Sequence, residues 1–207
     1  MNRIVKQPEE RKAEILAAAA ALFAEKGYVA TTINDVLERV GIAKGTFYHH
    51  FPSKEGLLHT LVDQQVAAQV AEAAQIADAP DLSAPEKIIL FWGRQRSDEH
   101  VQNLTDHLEQ ALDVTAHIQV LAKLVTDLGP VLARIVEQGV EEGTFDTSHP
   151  AESIDVILAA SAFLFDSGLI ERPGRDRGQA IAIFVTQAER LLGARPGTLT
   201  DLLGFVT

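Results

Sequence analysis

Apolar residues recur along this chain every three or four positions, the spacing of one face of an α-helix, and no stretch alternates with the period of two typical of strands. The helical segments end where helix-breaking residues stand, at Gly27, Gly41, Pro52, Pro80 and Gly143. This pattern predicts an all-α protein of about nine helices, with three in an N-terminal domain and the others in a larger C-terminal helical bundle. The predicted helices cover residues 8–26, 32–40, 44–50, 54–77, 84–96, 98–110, 115–142, 150–169 and 178–192.

The stretch from Thr31 to Lys54 contains the most specific pattern in the chain. It reads TTINDVLERVGIAKGTFYHHFPSK. Two short predicted helices flank a tight turn at Gly41, and Phe47 and Phe51 stand four residues apart on the second of them. Both rings are therefore predicted to face inward, and polar side chains are left on the outward face. This is the layout of a helix-turn-helix, whose second helix reads the major groove of DNA.

The predicted helices of this stretch differ in their caps. Thr32 and Asp35 have the spacing of a capping box, and Ser53 is placed to cap the fourth helix. Ala43 precedes the third helix, where it offers no side-chain acceptor, and the loss of such a cap costs about 1 kcal/mol. We therefore expect the third helix to depend on packing or on DNA for its order.

Residues from about 11 to 62 resemble the N-terminal DNA-binding domain of the TetR family of transcriptional regulators. The matching motifs are AxxLFAEKGY, the pair TT, and the run DV…VGIAKGTFYHHFPSKEGLL. The resemblance implies phosphate contacts by Thr32 and Lys54, and a recognition surface on the third helix. A solvated surface is the alternative interpretation of His49 and His50. The full set of residues that the resemblance assigns to DNA comprises Thr32, Asn34, Lys44, Gly45, Thr46, Tyr48, His49, His50 and Lys54.

The resemblance also implies two domains: a helix-turn-helix DNA-binding domain at residues 1–52, and a ligand-sensing and dimerisation domain at residues 53–207. In the homodimer that it implies, the last two predicted helices pair with their copies. Two recognition helices then face a palindromic operator, roughly 34 Å apart. Both helices are apolar around much of their circumference, so wholly internal packing is the alternative. The implied interface comprises Ile154, Ile157, Leu158, Ser161, Ala162, Phe165, Ile181, Phe184, Val185 and Ala188.

Aromatic and apolar residues in the middle of the chain are candidates for a binding pocket. The resemblance implies that the middle helices line a pocket for a small-molecule effector. Core packing is an equally good interpretation of each candidate taken singly. The candidates are Phe91, Trp92, His107, Leu108, Leu112 and Leu121.

The net charge of −11 argues at first against a nucleic-acid partner, but the charge is unevenly distributed. Residues 1–60 hold 8 Lys or Arg against 7 Asp or Glu, whereas the remainder holds 10 against 22. A near-neutral head on an acidic body fits a DNA-binding domain joined to another domain. The chain has no cysteine, and its longest apolar runs, 15–24 and 156–165, are short of the roughly 20 residues of a membrane span. We therefore expect a soluble, cytoplasmic protein with no membrane partner.

No nucleotide-binding loop, zinc-ligand spacing or catalytic triad signature occurs in the chain. His100 and His107 are seven residues apart, which separates them by roughly 10 Å along a helix, too far for one metal ion. Asp113 and His117 are four apart and have the spacing for a shared ion, but surface or pocket-lining histidines are the preferred interpretation. We expect no enzymatic activity, no cofactor and no metal site.

The sequence thus predicts a DNA-binding transcriptional regulator. We expect a repressor that binds double-stranded DNA as a dimer and that is released when an effector binds the C-terminal body. Transcriptional activation is the alternative within the family. A helical ligand-binding protein or enzyme without a DNA-binding role is the alternative outside it.

Overall fold

The computed structural model describes residues 7–97, 114–165, 174 and 176–200. Eight α-helices and no strands occur in these residues, so the all-α prediction is confirmed. The predicted helix at 98–110 lies outside the described residues. The helices are α1 (Pro8–Lys26), α2 (Ile33–Val40), α3 (Lys44–His50), α4 (Lys54–Ala77), α5 (Ala84–Ser97), α6 (Val114–Glu141), α7 (Pro150–Leu164) and α8 (Arg177–Leu191).

Local signals set the ends of the N-terminal helices. α1 begins at Pro8, whose missing N–H is not needed in a first turn, and it ends before Gly27. Thr32 caps α2, and Gly41 ends it in the left-handed conformation, with φ 71° and ψ 42°. The bounds predicted for α1, α3 and α4 are those of the structure, because the start and stop residues act within one turn of the helix.

The described residues form two compact units that divide between Gln65 and Val66. α4 therefore begins in the first unit and ends in the second. The division predicted from the sequence lies earlier, after Pro52. Leu57 and Leu58, in the first turns of α4, are buried in the core of the first unit, so these turns belong to that unit's fold. A functional boundary between residues 52 and 53 stays a prediction.

The core of the first unit forms where α1, α2, α3 and the start of α4 meet. Phe47 and Phe51 are 0% and 2% exposed, which confirms that both rings point inward. Burial of such a side chain contributes roughly 1.5–3 kcal/mol to folding. Tyr28, in the α1–α2 loop, packs edge-on against Phe23 with 5.2 Å between the ring centroids. The buried set is Ile15, Leu16, Ala19, Leu22, Phe23, Val36, Phe47, Phe51, Leu57, Leu58 and Leu61.

The core of the second unit is built around α6, which packs against α5 and α7. α7 and α8 each bury apolar side chains in this core. Six of the ten residues suggested as a dimer interface are buried in this core, which agrees with internal packing, the alternative that the sequence left open. They are Ile154, Ile157, Leu158, Ile181, Val185 and Ala188. The remaining four are half-buried: Ser161, Ala162, Phe165 and Phe184.

None of the helices among the described residues is long and apolar enough to cross a membrane. In the same part of the chain, no three His, Cys, Asp or Glu side chains come together as a candidate metal site. His100 and His107 lie outside the described residues.

Candidate nucleic-acid interface

The N-terminus of α2 holds an anion that belongs to the protein itself. The Asp35 carboxylate oxygen Oδ2 accepts hydrogen bonds from the backbone N–H of Thr32 at 2.6 Å and from its hydroxyl at 2.8 Å. The Asp35 N–H in turn donates to Thr32 Oγ1 at 3.2 Å, which completes the predicted capping box. A phosphate that reached Thr32 would therefore meet a donor set already engaged by Asp35.

Lys26, at the end of α1, reinforces this arrangement. Its Nζ lies 2.7 Å from Asp35 Oδ2. The Lys26 ammonium, followed by the two donors of Thr32, holds the pKa of Asp35 well below its usual range. Asp35 is half-buried, and its carboxylate stays ionised at neutral pH. The sequence pattern predicted the capping box but not this ion pair, which joins residues on different helices.

A second ion pair fixes α2 against α1. The Arg39 guanidinium donates to both carboxylate oxygens of Glu25, at 3.1 and 2.7 Å. This bidentate geometry orients both groups as well as attracting them. Arg39 was not among the residues predicted to meet DNA, and its contact with Glu25 gives it a role inside the first unit.

The turn between α2 and α3 depends on the backbone of Gly41. The N–H groups of Gly41 and Ile42 both donate to the carbonyl of Leu37, at 2.8 and 3.0 Å. The positive φ of Gly41 is a conformation that other residues adopt only with strain. α3 then starts after Ala43, which makes no side-chain cap, as the sequence predicts.

α3 has one face in the core and one in solvent. Opposite the two buried phenylalanines, Lys44, Gly45, Tyr48 and His49 are exposed, and Thr46 and His50 are half-buried. The ring of Tyr48 packs edge-on against Phe47, with 5.4 Å between centroids, and Lys44 Nζ lies 5.9 Å from its centre. The imidazoles of His49 and His50 lie 5.1 Å apart. Six of the residues predicted from the sequence thus share one short helix.

Gly45 stands where this outward face has no side chain. A Cβ built at this position would meet no atom within 4 Å, so no neighbour inside the protein requires a glycine there. Glycine in a helix costs up to about 1 kcal/mol relative to alanine. A bare backbone on an exposed polar face suits the close approach of another molecule. DNA, whose grooves admit a helix, is the partner that this face suits.

Asn34 and Lys54, the two remaining residues of the predicted DNA-contact set, have different surroundings. Asn34 is exposed on the first turn of α2. Lys54, at the start of α4, points back into the first unit: its Nζ donates to the carbonyls of Tyr28 and Thr31, at 2.9 and 2.8 Å. Its ammonium also lies 4.0 Å from the centre of the Tyr28 ring. Burial lowers the pKa of Lys54 from its ordinary value.

Three of the six residues suggested for an effector pocket lie in the described part of the chain. Phe91 is buried in the core of the second unit, and Trp92 is half-buried beside it with the two rings edge-on, 5.1 Å apart. Leu121, on α6, is also buried. His107, Leu108 and Leu112 lie outside the described residues. Phe91 therefore fits the core interpretation, while Trp92 keeps part of its surface accessible.

A glycine turn between two short helices, a buried aromatic pair and a polar outward face define a helix-turn-helix transcription regulator. Comparison with known proteins agrees. Residues 15–61 match the model for bacterial regulatory proteins of the tetR family, and residues 99–186 match that for a tetracyclin repressor-like C-terminal domain. The chain is 45% identical over 166 residues to the transcriptional repressor KstR2 of Mycobacterium tuberculosis, covering 76% of this chain and 78% of that protein. The chain belongs to the TetR family.

Other relatives extend the likeness over most of the chain. KstR2 of Rhodococcus jostii is 29% identical over 171 residues, which cover 79% of this chain and 81% of the relative. Among solved structures, RolR in complex with resorcinol has a TM-score of 0.65 at 19% identity and covers 97% of this chain and 94% of its own. This structural likeness concerns the fold. The match at residues 99–186 carries the family assignment into the body, which the sequence pattern matched only in the number and length of its helices.

Proposed function

We propose that this protein is a transcriptional repressor that binds a palindromic operator as a homodimer and leaves it when a small-molecule effector binds the body. The observation that carries the DNA interface is the polar outward face of α3, with its exposed Gly45 and with Phe47 and Phe51 buried behind it. Repression is supported by the relatives at 45% and 29% identity, which are both named transcriptional repressors. A regulator of transcription in a bacterium meets its operator in the cytoplasm.

The residues of the proposed interface divide into two roles. Tyr48 and Thr46 carry hydroxyl groups that suit phosphate oxygens, which position a protein without reading sequence. Lys44 and His49 are exposed on α3 and, together with His50, are proposed to reach base edges, and the Lys44 ammonium is proposed to neutralise phosphate charge as well. Thr32 and Asn34 lie at the start of α2, where the support helix of a helix-turn-helix crosses the DNA backbone. The backbone N–H and the hydroxyl of Thr32 both donate to Asp35, so Thr32 can donate to a phosphate only if Asp35 shares or releases one of these two hydrogen bonds.

The proposed homodimer interface includes exposed apolar side chains that the sequence did not suggest. Among the described residues of α7 and α8, four large apolar side chains are exposed, and these two helices have their other apolar faces buried. Large apolar side chains that stay exposed on helices whose other apolar faces are buried are typical of a protein–protein interface. The four are Val156, Phe163, Ile183 and Leu191. Ser161, Ala162, Phe165 and Phe184, which are half-buried, remain candidates beside them.

The effector is proposed to act by population shift. A ligand that binds the body more tightly in one arrangement of the dimer favours that arrangement, and operator affinity falls if the recognition helices then miss the two half-sites. Trp92, the one tryptophan of the chain, is half-buried beside Phe91, so its fluorescence can report ligand binding in the second unit. A screen of small molecules by Trp92 fluorescence would identify the chemical class of the effector.

The experiment that tests DNA binding measures affinity against salt concentration on a palindromic site and on a scrambled site of equal length. Each phosphate contact adds about −0.9 to the slope of log K against log salt concentration. We expect a steep slope and a clear preference for the palindrome. A flat slope, or equal affinity for both sites under all conditions, would contradict the proposed function.

A further inference from the structure

The two ends of the helix-turn-helix segment are hydrogen-bonded to each other. Lys54 Nζ donates to the carbonyl of Thr31, 23 residues earlier in the chain, at 2.8 Å. The same ammonium donates to the carbonyl of Tyr28 at 2.9 Å and lies over that residue's ring. One lysine at the start of α4 thus holds both sides of the α1–α2 loop.

The acceptors of this contact are themselves firmly held. Thr31 is fully buried, and its hydroxyl donates to the carbonyl of Gly27 at 2.8 Å. Its N–H donates to the same Tyr28 carbonyl that Lys54 contacts, at 3.1 Å. Thr32 follows at once and caps α2. Lys54 is therefore hydrogen-bonded to the peptide unit that joins Thr31 to Thr32, the residue that caps the support helix α2.

These contacts are at odds with a role for Lys54 as a phosphate anchor. An ammonium has three N–H bonds, and two of them are used inside the protein. Moving Nζ to a phosphate would leave two carbonyls of the loop without this charged donor, and a hydrogen bond to a charged group is among the costlier ones to lose. The burial that lowers the pKa of Lys54 fits the same internal placement. Lys44, on the outward face of α3, is exposed by contrast.

We propose that Lys54 is a positioning residue that fixes the start of α2 relative to the start of α4, and that it is not one of the phosphate contacts. α3 ends at His50, only a short way before Lys54, so the contact also sets how far the recognition helix lies from the N-terminus of α2. The inference rests on the proposed DNA interface, because its consequence is that α2 and α3 meet DNA in the right relative position.

The test compares Lys54→Met with Lys44→Met in the full-length protein. Both remove one positive charge and keep an unbranched side chain, so long-range electrostatics are matched. Operator affinity is measured by fluorescence anisotropy over a range of salt concentrations, at a temperature well below the melting transition of every variant. Circular dichroism of the free proteins supplies the melting temperatures.

For Lys54→Met we expect the melting temperature to fall by about 2–4 °C. We expect operator affinity to fall about tenfold with the salt slope close to that of the wild type. A purely stabilising role would leave the affinity unchanged, because the variant is fully folded at the temperature of the assay. For Lys44→Met we expect an unchanged melting temperature and a slope shallower by about 0.9 for each phosphate that the side chain no longer neutralises.

The inference is overturned if the salt slope of Lys54→Met falls by at least half as much as that of Lys44→Met, if its melting temperature is that of the wild type, or if its affinity is unchanged. If Lys44→Met has no effect on DNA binding, the proposed interface on α3 fails, while the melting temperature of Lys54→Met still tests the internal hydrogen bonds themselves.

A measurement on the wild type serves if Lys54→Met does not fold. The side-chain ammonium signal of Lys54 in nitrogen-resolved NMR, assigned with Lys54→Arg, should exchange slowly with solvent in the free protein. It should also keep its chemical shift when operator DNA is added. A fast-exchanging signal, or a large shift on adding DNA, would count against the proposal.

Discussion

The Asp35 carboxylate accepts both the N–H and the hydroxyl of Thr32, so the first residue predicted to meet phosphate is already bonded to an anion of its own helix. Lys26 completes the cluster from α1. The negative charge sits where the α2 dipole favours it, and this stabilises the helix. The same charge opposes a DNA phosphate at this point of the surface.

Asp35→Asn should lower the stability of the free protein at neutral pH, since it removes the ion pair with Lys26 and weakens the cap. Because the folded pKa of Asp35 is depressed below its ordinary value of 3.8, the charged form is the one that favours folding. That contribution is present above the ordinary pKa and is lost as the pH falls through the lower, folded value. The measurement is the urea midpoint of both proteins from neutral pH down to about pH 3.

Glu38→Gln, which removes a charge from an exposed position on the same helix, is the matched control. The difference between Asp35→Asn and the wild type should narrow as the pH drops below about 4, and the control should show no such convergence. If Asp35→Asn is as stable as the wild type at neutral pH, the capping cluster does not contribute as described.

Gly45→Ala should separate stability from DNA binding. A Cβ there meets no atom within 4 Å, and alanine is the better helix former, so the free energy of unfolding should rise by up to about 1 kcal/mol. Operator affinity should fall, because the added methyl group lies on the face proposed to approach DNA. Denaturant unfolding and anisotropy titration check the two effects.

Gly41→Ala provides the contrast. A Cβ at Gly41 also meets open space, but its φ of 71° strains any other residue. We expect a loss of about 1–2 kcal/mol of stability there. Should Gly45→Ala bind the operator as tightly as the wild type, the outward face of α3 does not approach DNA closely at this position.

Tyr48→Phe should weaken binding to every DNA sequence by a similar factor of about ten, because it removes a hydroxyl proposed to bond phosphate and a hydrogen bond to a charged group contributes about 1.5 kcal/mol or more. The ring contact with Phe47 is retained, so the melting temperature should not change. His49→Ala should instead alter the ranking of operator variants. Affinities on a panel of single-base substitutions distinguish the two, and identical profiles would contradict this division of roles.

The sequence predicted the N-terminal helices well because their signals are local. Pro8, Gly27 and Gly41 act within one turn, and the spacing of Phe47 and Phe51 fixes which face of α3 is buried. Contacts between distant residues left no such signal. Nothing in the order of residues places the Lys54 ammonium on carbonyls 23 and 26 positions earlier.

For α7 and α8, the sequence pattern left the choice between a dimer interface and internal packing open. Each is apolar on more than one face, so helical periodicity identifies apolar faces without saying which of them is inside the protomer. Ile181 and Ile183 show the consequence: the first is 6% exposed and the second 54%. The residues that the sequence suggests for a dimer interface include the buried Ile181 and do not include the exposed Ile183, and the interface itself stays a prediction.

Ile183→Glu should therefore convert a dimer to a monomer while the fold persists. A charge placed in a buried apolar interface is costly, but the side chain of Ile183 is largely in solvent within one protomer, so folding tolerates it. Sedimentation at several concentrations gives the mass, and circular dichroism confirms the helices. Val29→Glu, at a residue 77% exposed in the first unit, is the control and should leave the mass unchanged. Operator affinity should fall steeply for Ile183→Glu, because each half-site is then bound alone. A dimeric Ile183→Glu would place the interface away from this face of α8.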